Sequence, residues 1–303
     1  MHVGTTVGAA PGGGATTTVT RAGTTLQIAT APWQLPSPRA REIVLAGTHA
    51  LYVIGGLDAG KSSTGRVWNV ALPSGTTTRL AVLPQVLHDS AGAVLGEAVF
   101  VFGGGAGTEL ATVQRYRAGA ATVVGQLPQP RSDLAAVAID GTAYVFGGFD
   151  GTRGVASVLA TTDGTSFQSV ASLAQTVRYA AVAAHAGRIY VFGGDHNGTN
   201  VATVQIIDPH ARTSSIVDQL PYSVTEATAV ELDGQLLVIG GRSHGRILDT
   251  VVRYDPVSGK STTVGHLPYP VIDAGAAVVD GVAYVVGGET PAEVGSVITL
   301  RHA

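Results

Sequence analysis

The sequence predicts an all-β protein, a six-bladed β-propeller of four-stranded antiparallel blades whose ring is closed by an N-terminal strand completing the last blade. Three observations carry that prediction. First, a turn, a short apolar strand and a glycine pair recur in that order six times, with the pairs at Gly55-Gly56, Gly103-Gly104, Gly147-Gly148, Gly193-Gly194, Gly240-Gly241 and Gly287-Gly288. Subtracting successive first glycines gives intervals of 48, 44, 46, 47 and 47 residues, the range in which a repeat means a stacked array or a propeller. Second, no segment keeps an apolar 3.6-residue period long enough for a helix, whereas short Val-, Ile- and aromatic-rich runs alternate with Gly and Asp turns throughout. Third, the last repeat stops one strand short, and a matching strand stands at the other end of the chain.

One period shows the elements in order. Leu127-Pro128-Gln129-Pro130-Arg131 opens a loop, and the Ala-rich run 132–139 is the first strand, a. Asp140-Gly141 is a hairpin turn, followed by strand b over 143–146 and the glycine pair. A polar loop from Phe149 to Gly154 leads to strand c over 156–161, Thr162-Asp163-Gly164-Thr165 turns the chain, and strand d covers 167–171. Strand a carries small side chains in every repeat, as in Leu134-Ala135-Ala136-Val137-Ala138 and Ala274-Gly275-Ala276-Ala277-Val278. Crowding explains them. Six first strands converging on an axis leave room only for Ala and Gly, while strands farther out carry Trp68, Tyr116, Phe167 and Tyr254.

At the C-terminus the run 296–301 serves as a strand c with no strand d behind it. Residues 24–29, with Trp33-Gln34-Leu35-Pro36 after them, match the Ser261-Thr262-Thr263-Val264 and Leu267-Pro268 pattern that ends a repeat. Pairing the two removes two open sheet edges. Residues 16–21 provide a further strand of undetermined pairing. Residues 1–18, rich in Gly and Thr, read either as a flexible linker to an anchor or upstream domain or as a disordered terminus, and 19–303 as one propeller domain.

Composition narrows the function classes. A formal charge of -3 and the lack of any Lys/Arg run give no electrostatic case for nucleic acid. Zero Cys removes disulfides, thiolate catalysis and Cys-ligated metals without fixing a compartment. No window reaches the roughly 18 consecutive apolar residues of a transmembrane helix, so this segment is not expected to insert in a membrane. No cofactor is expected, and a closed ring predicts a monomer.

Because strand direction alternates, the d-to-a and b-to-c loops share one face of the ring. Loops so displayed carry specificity in scaffolded folds. Counting six residues from the Leu of each Leu-Pro or Leu-Ala gives Arg41, Asp89, Asp133, Tyr179, Glu226 and Asp273, expected around the mouth of a central channel with Arg39, His88, Arg131 and Arg178 close by. Two readings of this ring stand side by side. Its carboxylates bind a cation or a polyhydroxylated ligand, with pKa values perturbed by crowding, or each accepts hydrogen bonds from loop amides and pairs with a neighbouring blade's Arg. His196, Arg242 and His244 join the candidates from the b-to-c loops, without the spacing of a helix-borne metal site. No Gly-x-Ser-x-Gly elbow follows a strand, which leaves a serine hydrolase unsupported.

The glycine pairs, the Tyr or Phe before most of them, the turn glycines at 47, 96, 141, 187, 234 and 281 and the Leu-Pro before strand a resemble the Kelch repeat over nearly the whole chain. The fuller motif is degenerate: its Arg after Leu-Pro survives as Arg39 and Arg131, its c-strand Tyr as Tyr116 and Tyr254, and its strand-d Trp is missing. The resemblance implies a noncatalytic binding propeller. With this Thr/Ala/Val-rich composition it is similar to bacterial extracytoplasmic Kelch proteins that take a protein, glycan or small ligand on the loop face as sensor or adhesion modules. It also implies an alternative, a carbohydrate-acting enzyme like the sialic-acid mutarotase propellers, in which Asp133, Glu226, Arg131 and Arg178 would act. The copper radical oxidases that share the fold need a Tyr-Cys crosslink that this chain cannot make.

Overall fold

A computed structural model describes Val7–Gly8, Thr16–Val19 and residues 25–303, and among these residues it holds strands, turns and loops without a helix. Blades 1 to 5 occupy residues 43–87, 91–126, 135–172, 181–219 and 228–266, each a four-stranded antiparallel sheet in the order a, b, c, d. Blade 6 takes strands a, b and c from Gly275–Val279, Val282–Val286 and Val294–His302 and strand d from Leu26–Arg39. Leu26 pairs with His302, Ile28 with Leu300 and Thr30 with Ile298, so the expected clasp between the chain ends is present. Thr16–Val19 adds antiparallel to Leu26–Ile28 on the outside of that blade, and Val7–Gly8 adds to Thr16–Val19. The rest of the expected linker over residues 1–18 lies outside the described residues.

The local chemistry of the repeat explains its geometry. In Asp140-Gly141, Ala186-Gly187, Asp233-Gly234 and Asp280-Gly281 both residues have positive φ, the two-residue turn whose twist matches a strand pair. On the outer side of blades 1 to 5 the c–d register slips between residues 67/68, 113/114, 158/159, 204/205 and 251/252, with a second slip at 64/66 in blade 1, bulges that bend the outer strands.

The glycine pair does more than end strand b. Both residues have positive φ in all six repeats, and a Cβ on the first or second would meet a neighbouring backbone atom: Gly148 lies 2.3 Å by that measure from the Ser132 carbonyl oxygen, Gly193 2.2 Å from that of Val224. That close approach makes an inter-blade stitch. The second amide donates to a carbonyl on the stretch that leads into the next blade, Gly56 to Leu87, Gly104 to Arg131, Gly148 to Val177, Gly194 to Val224, Gly241 to Val271 and, across the closure, Gly288 to Arg39, at 2.7–3.0 Å. Six apolar clusters fill the same seams, each drawn from two adjacent blades; Phe100, Phe102 and Leu127 pack on Leu134, Ala143 and Val145 between blades 2 and 3. The seam between blades 6 and 1 is built alike, from Val44, Leu51, Trp68, Tyr284 and Val297.

Candidate functional site

The innermost strands surround an axial shaft of about 490 Å³ lined largely by Ala, Gly and Val, with a well of about 120 Å³ at its mouth on the loop face. At the rim of that well sit the six residues predicted by the Leu-Pro count. Every one has positive φ, between 51° and 57°, although Arg41, Asp89, Asp133, Tyr179, Glu226 and Asp273 differ in side chain. Their backbones form a closed circle: Asp89 donates to the Arg41 carbonyl, Asp133 to Asp89, Tyr179 to Asp133, Glu226 to Tyr179, Asp273 to Glu226 and Arg41 to Asp273, at 2.8–3.3 Å. The left-handed turn aims each N–H and C=O around the axis rather than along it, which is why the position repeats. Three of the six, Arg41, Tyr179 and Glu226, are strained by that conformation, and the other three are Asp, which tolerates it.

Their side chains form ion pairs on this frame. Arg41 reaches Asp89 at 3.1 Å, Asp273 at 3.4 Å and Glu289 at 3.5 Å. Arg178 pairs with Asp133 and donates to the Tyr179 hydroxyl at 2.9 Å, with its guanidinium 4.7 Å from the ring centroids of both Phe149 and Tyr179. Arg242 binds Glu226 at 2.7 Å. Of the structural reading, the pairing is present, since each of the four carboxylates meets an Arg, whereas the neighbour-to-neighbour link is made by the backbone instead of by loop amides on Asp side chains.

Burial governs the electrostatics. It pushes Asp133 up to about 6, helped by Asp89 and opposed by Arg178, and raises Asp89 and, further, Asp273 against the pull of Arg41. Burial alone would lower the Arg41 guanidinium, but Asp273 and Asp89 more than offset it and hold it above its ordinary value. Tyr179 is raised by burial and by Asp89 and Asp133, so it stays a neutral phenol.

The histidines stand apart from one another. His88 places Nδ1 2.8 Å from the Ser63 hydroxyl and Nε2 3.6 Å from Asp89, with its pKa lowered by burial and by Arg41. His196 Nδ1 donates to the Thr176 carbonyl at 2.7 Å, which can only accept, so that nitrogen carries the proton. His244 Nδ1 lies 3.0 Å from the Ser243 hydroxyl. Among the described residues no group of three His, Cys, Asp or Glu side chains is placed to hold a metal ion.

Arg39 and Arg131 lie away from the mouth. They are 1% and 0% exposed, at the position where blades 2, 4, 5 and 6 carry Leu87, Val177, Val224 and Val271. Arg131 donates to the Ser157 hydroxyl at 2.9 Å and is lowered to about 10 by burial; Arg39 lies over Trp68 at 4.7 Å. A ligand carboxylate at the mouth cannot reach either one. The residue count, valid at the sixth position, overreaches two residues earlier, where the chain has already turned into a seam.

Sequence reasoning also missed three groups. Glu289, on the b-to-c loop of blade 6, reaches the rim through Arg41. Phe149 backs Arg178 and lines a third cavity, about 200 Å³, between the b-to-c loops of blades 3 and 4 with Thr152, Arg153, Thr176 and Asn197. Glu42 directly follows a counted position but stands where the other blades have Ser90, Leu134, Ala180, Ala227 and Ala274, and that contrast was the signal.

The profile described as the KLHDC2/KLHL20/DRC7 Kelch-repeats domain matches residues 110–288, more than half of the chain. The chain belongs to the Kelch-repeat family. The match runs from strand c of blade 2 to the glycine pair of blade 6, and the structure extends the same Kelch repeat through blade 1 and the closing clasp. No curated protein matches the sequence. A Kelch propeller is consistent with a role in binding and recognition.

Proposed function

We propose that this Kelch propeller is a noncatalytic recognition module that presents the face of d-to-a and b-to-c loops to a protein, glycan or small-molecule partner, in a sensor or adhesion setting outside the cytoplasm. The observation that carries the reading is Arg178. Its guanidinium is fixed by Asp133 and the Tyr179 hydroxyl, stacked against Phe149, and placed at the edge of the 200 Å³ cleft between blades 3 and 4. A charged group held so rigidly loses little entropy when a partner docks, which is the condition for a binding anchor. Exposed Arg153, Asn197 and Thr152 around the same cleft supply adaptable polar contacts. Compartment rests on the compositional resemblance alone.

The test is a displayed random-peptide library panned on the purified propeller. Enriched peptides should lose binding to Arg153→Glu and Asn197→Lys, both on the loop face, and keep it for Arg188→Glu, on an a-to-b turn of the opposite face. No enrichment, or loss that follows Arg188→Glu instead, would overturn the proposal.

A further inference from the structure

The axial passage is one-sided in charge. The shaft and the rim well share Glu42, Ser90, Leu134, Ala180, Ala227 and Ala274 as lining, so one runs into the other. The charged residues along the two are Glu42, Asp89, Asp133, Glu226, Glu231 and Asp273 against the single Arg41. Arg178 compensates Asp133 from outside the lining, and Arg242 compensates Glu226. Arg41 is divided among Asp89, Asp273 and, outside the lining, Glu289. Asp89 and Asp273 share that one cation, while Glu42, and Glu231, which accepts from the Gly234 amide, have none.

Glu42 is the second, independent observation. It is 7% exposed, and neither carboxylate oxygen has a hydrogen-bond partner. The amides of Glu42 itself and of Gly275 are near enough to favour the charged form without a well-formed bond to it, and Arg39, three residues earlier at the end of the closing strand, acts on it only from beyond salt-bridge range. Burial raises its pKa to about 8. Packing does not call for a carboxyl here, since the same position in blades 3 to 6 is Leu or Ala. A buried acid without a partner is costly, and a bound cation would repay that cost.

The wall adds acceptors along its length. Each innermost strand pairs only with its own strand b, which leaves the carbonyls and amides of its other edge facing the axis. Glu42 and Glu231 lie near opposite ends of the shaft, four residues apart in strand register and so about 13 Å apart along the axis at about 3.3 Å per residue. With no metal-holding group of three among the described residues, the cation that fits is organic, slender and long.

We propose that the axial passage binds an aliphatic polyamine, one ammonium among Glu42 and the rim carboxylates and another at Glu231. The inference rests on the recognition reading and names the chemistry of the ligand at its axis.

The experiment is calorimetric titration at fixed ionic strength with three probes: N-(3-aminopropyl)-1,4-diaminobutane, 1,4-diaminobutane and the neutral 1,4-butanediol. The triamine should bind about tenfold more tightly than the diamine, and the diol not at all. Glu42→Gln and Glu231→Gln should each weaken the triamine about tenfold. Because cation binding draws the proton off Glu42, the enthalpy near pH 7 should depend on the buffer's ionisation heat in the wild type and much less in Glu42→Gln. If Glu42→Gln fails to fold, Glu231→Gln carries the comparison. Equal binding of diol and diamine, or triamine affinity unchanged in the folded variants, would sink the proposal. Peptide capture on the loop face without triamine binding would leave the recognition reading standing and remove only this inference; triamine binding without peptide capture would uphold this inference and remove the loop-face protein partner from that reading.

Discussion

The rim and the shaft belong to the same six strands, yet sequence constrains them in opposite ways. Along the shaft the side chains are nearly uniform, Ala, Gly and Val in blade after blade, because six strands converge there and volume is the limiting quantity. At the rim the side chains differ, Arg, Asp, Asp, Tyr, Glu and Asp, while the backbone is uniform: one left-handed residue per blade, hydrogen-bonded to its neighbour around a closed circle. The shaft repeats its chemistry to hold a shape, and the rim repeats a shape that frees its chemistry to vary. A position with fixed φ and variable side chain is where a repeat protein can change its ligand without changing its fold.

That contrast can be broken most severely where backbone meets backbone. Gly193→Ala forces a Cβ into the Val224 carbonyl at a φ of 59°, which should cost about 3 kcal/mol or more and lower the melting temperature by several degrees or prevent folding. A near-wild-type melting curve would show that the inter-blade stitch is slack. Ala183→Leu should cost about 1–3 kcal/mol by overpacking the shaft, whereas an equally large change at the rim, Tyr179→Leu, should cost less. Denaturant midpoints that reverse this order would collapse the distinction between the two levels.

A finer cut separates backbone from side chain at one rim position. Asp133→Gly keeps the left-handed turn open and loses only the Arg178 pair, while Asp133→Val adds a β-branched side chain at a φ of 57° and should be less stable than the Gly variant by about 1–2 kcal/mol. Equal stabilities would mean that the turn imposes no conformational demand.

The smallest effect is a pH slope. Glu42 is raised from 4.5 to about 8 in the fold, so the folded protein holds a proton that the unfolded chain has released. Its contribution is most favourable below about pH 4.5 and is lost as pH rises to about 8; Asp133, raised to about 6, acts in the same sense over a narrower window. Glu42→Gln should therefore match the wild type near pH 4 and melt a few degrees higher at pH 8, with about 2–4 °C expected for each kcal/mol in a somewhat smaller chain. A constant difference across that range would place the cost of Glu42 outside its charge.

Most of the fold was legible because its signals are local. Asp140-Gly141 followed by Thr142–Phe146 announces a hairpin by itself, and strand a of that blade begins at Ala135 rather than at residue 132; the closing strand departs most, running to Arg39 where it was expected to end at residue 29. The rim was legible through a counting rule because its cause, a conformation, is repeated. What escaped was set by neighbours in space. Arg39 and Arg131 carry the charge of ligand-binding residues, but only the packed seam shows that Ser157 and Trp68 hold them. The role of the glycine pairs likewise became visible only with the next blade's carbonyl beside them.

The clasp of blade 6 joins residues separated by almost the whole chain, with Thr299 donating to the Ala29 carbonyl across 270 positions. Blades 1 to 5 can each form from a contiguous stretch, but the sixth has to wait until the last strand has left the ribosome. Closing so long a loop carries an entropic cost and slows the final step. During synthesis the nascent ring is an open arc with exposed edges at both ends, and the interval before it shuts is when this chain is most vulnerable to proteolysis and to pairing with another copy of itself.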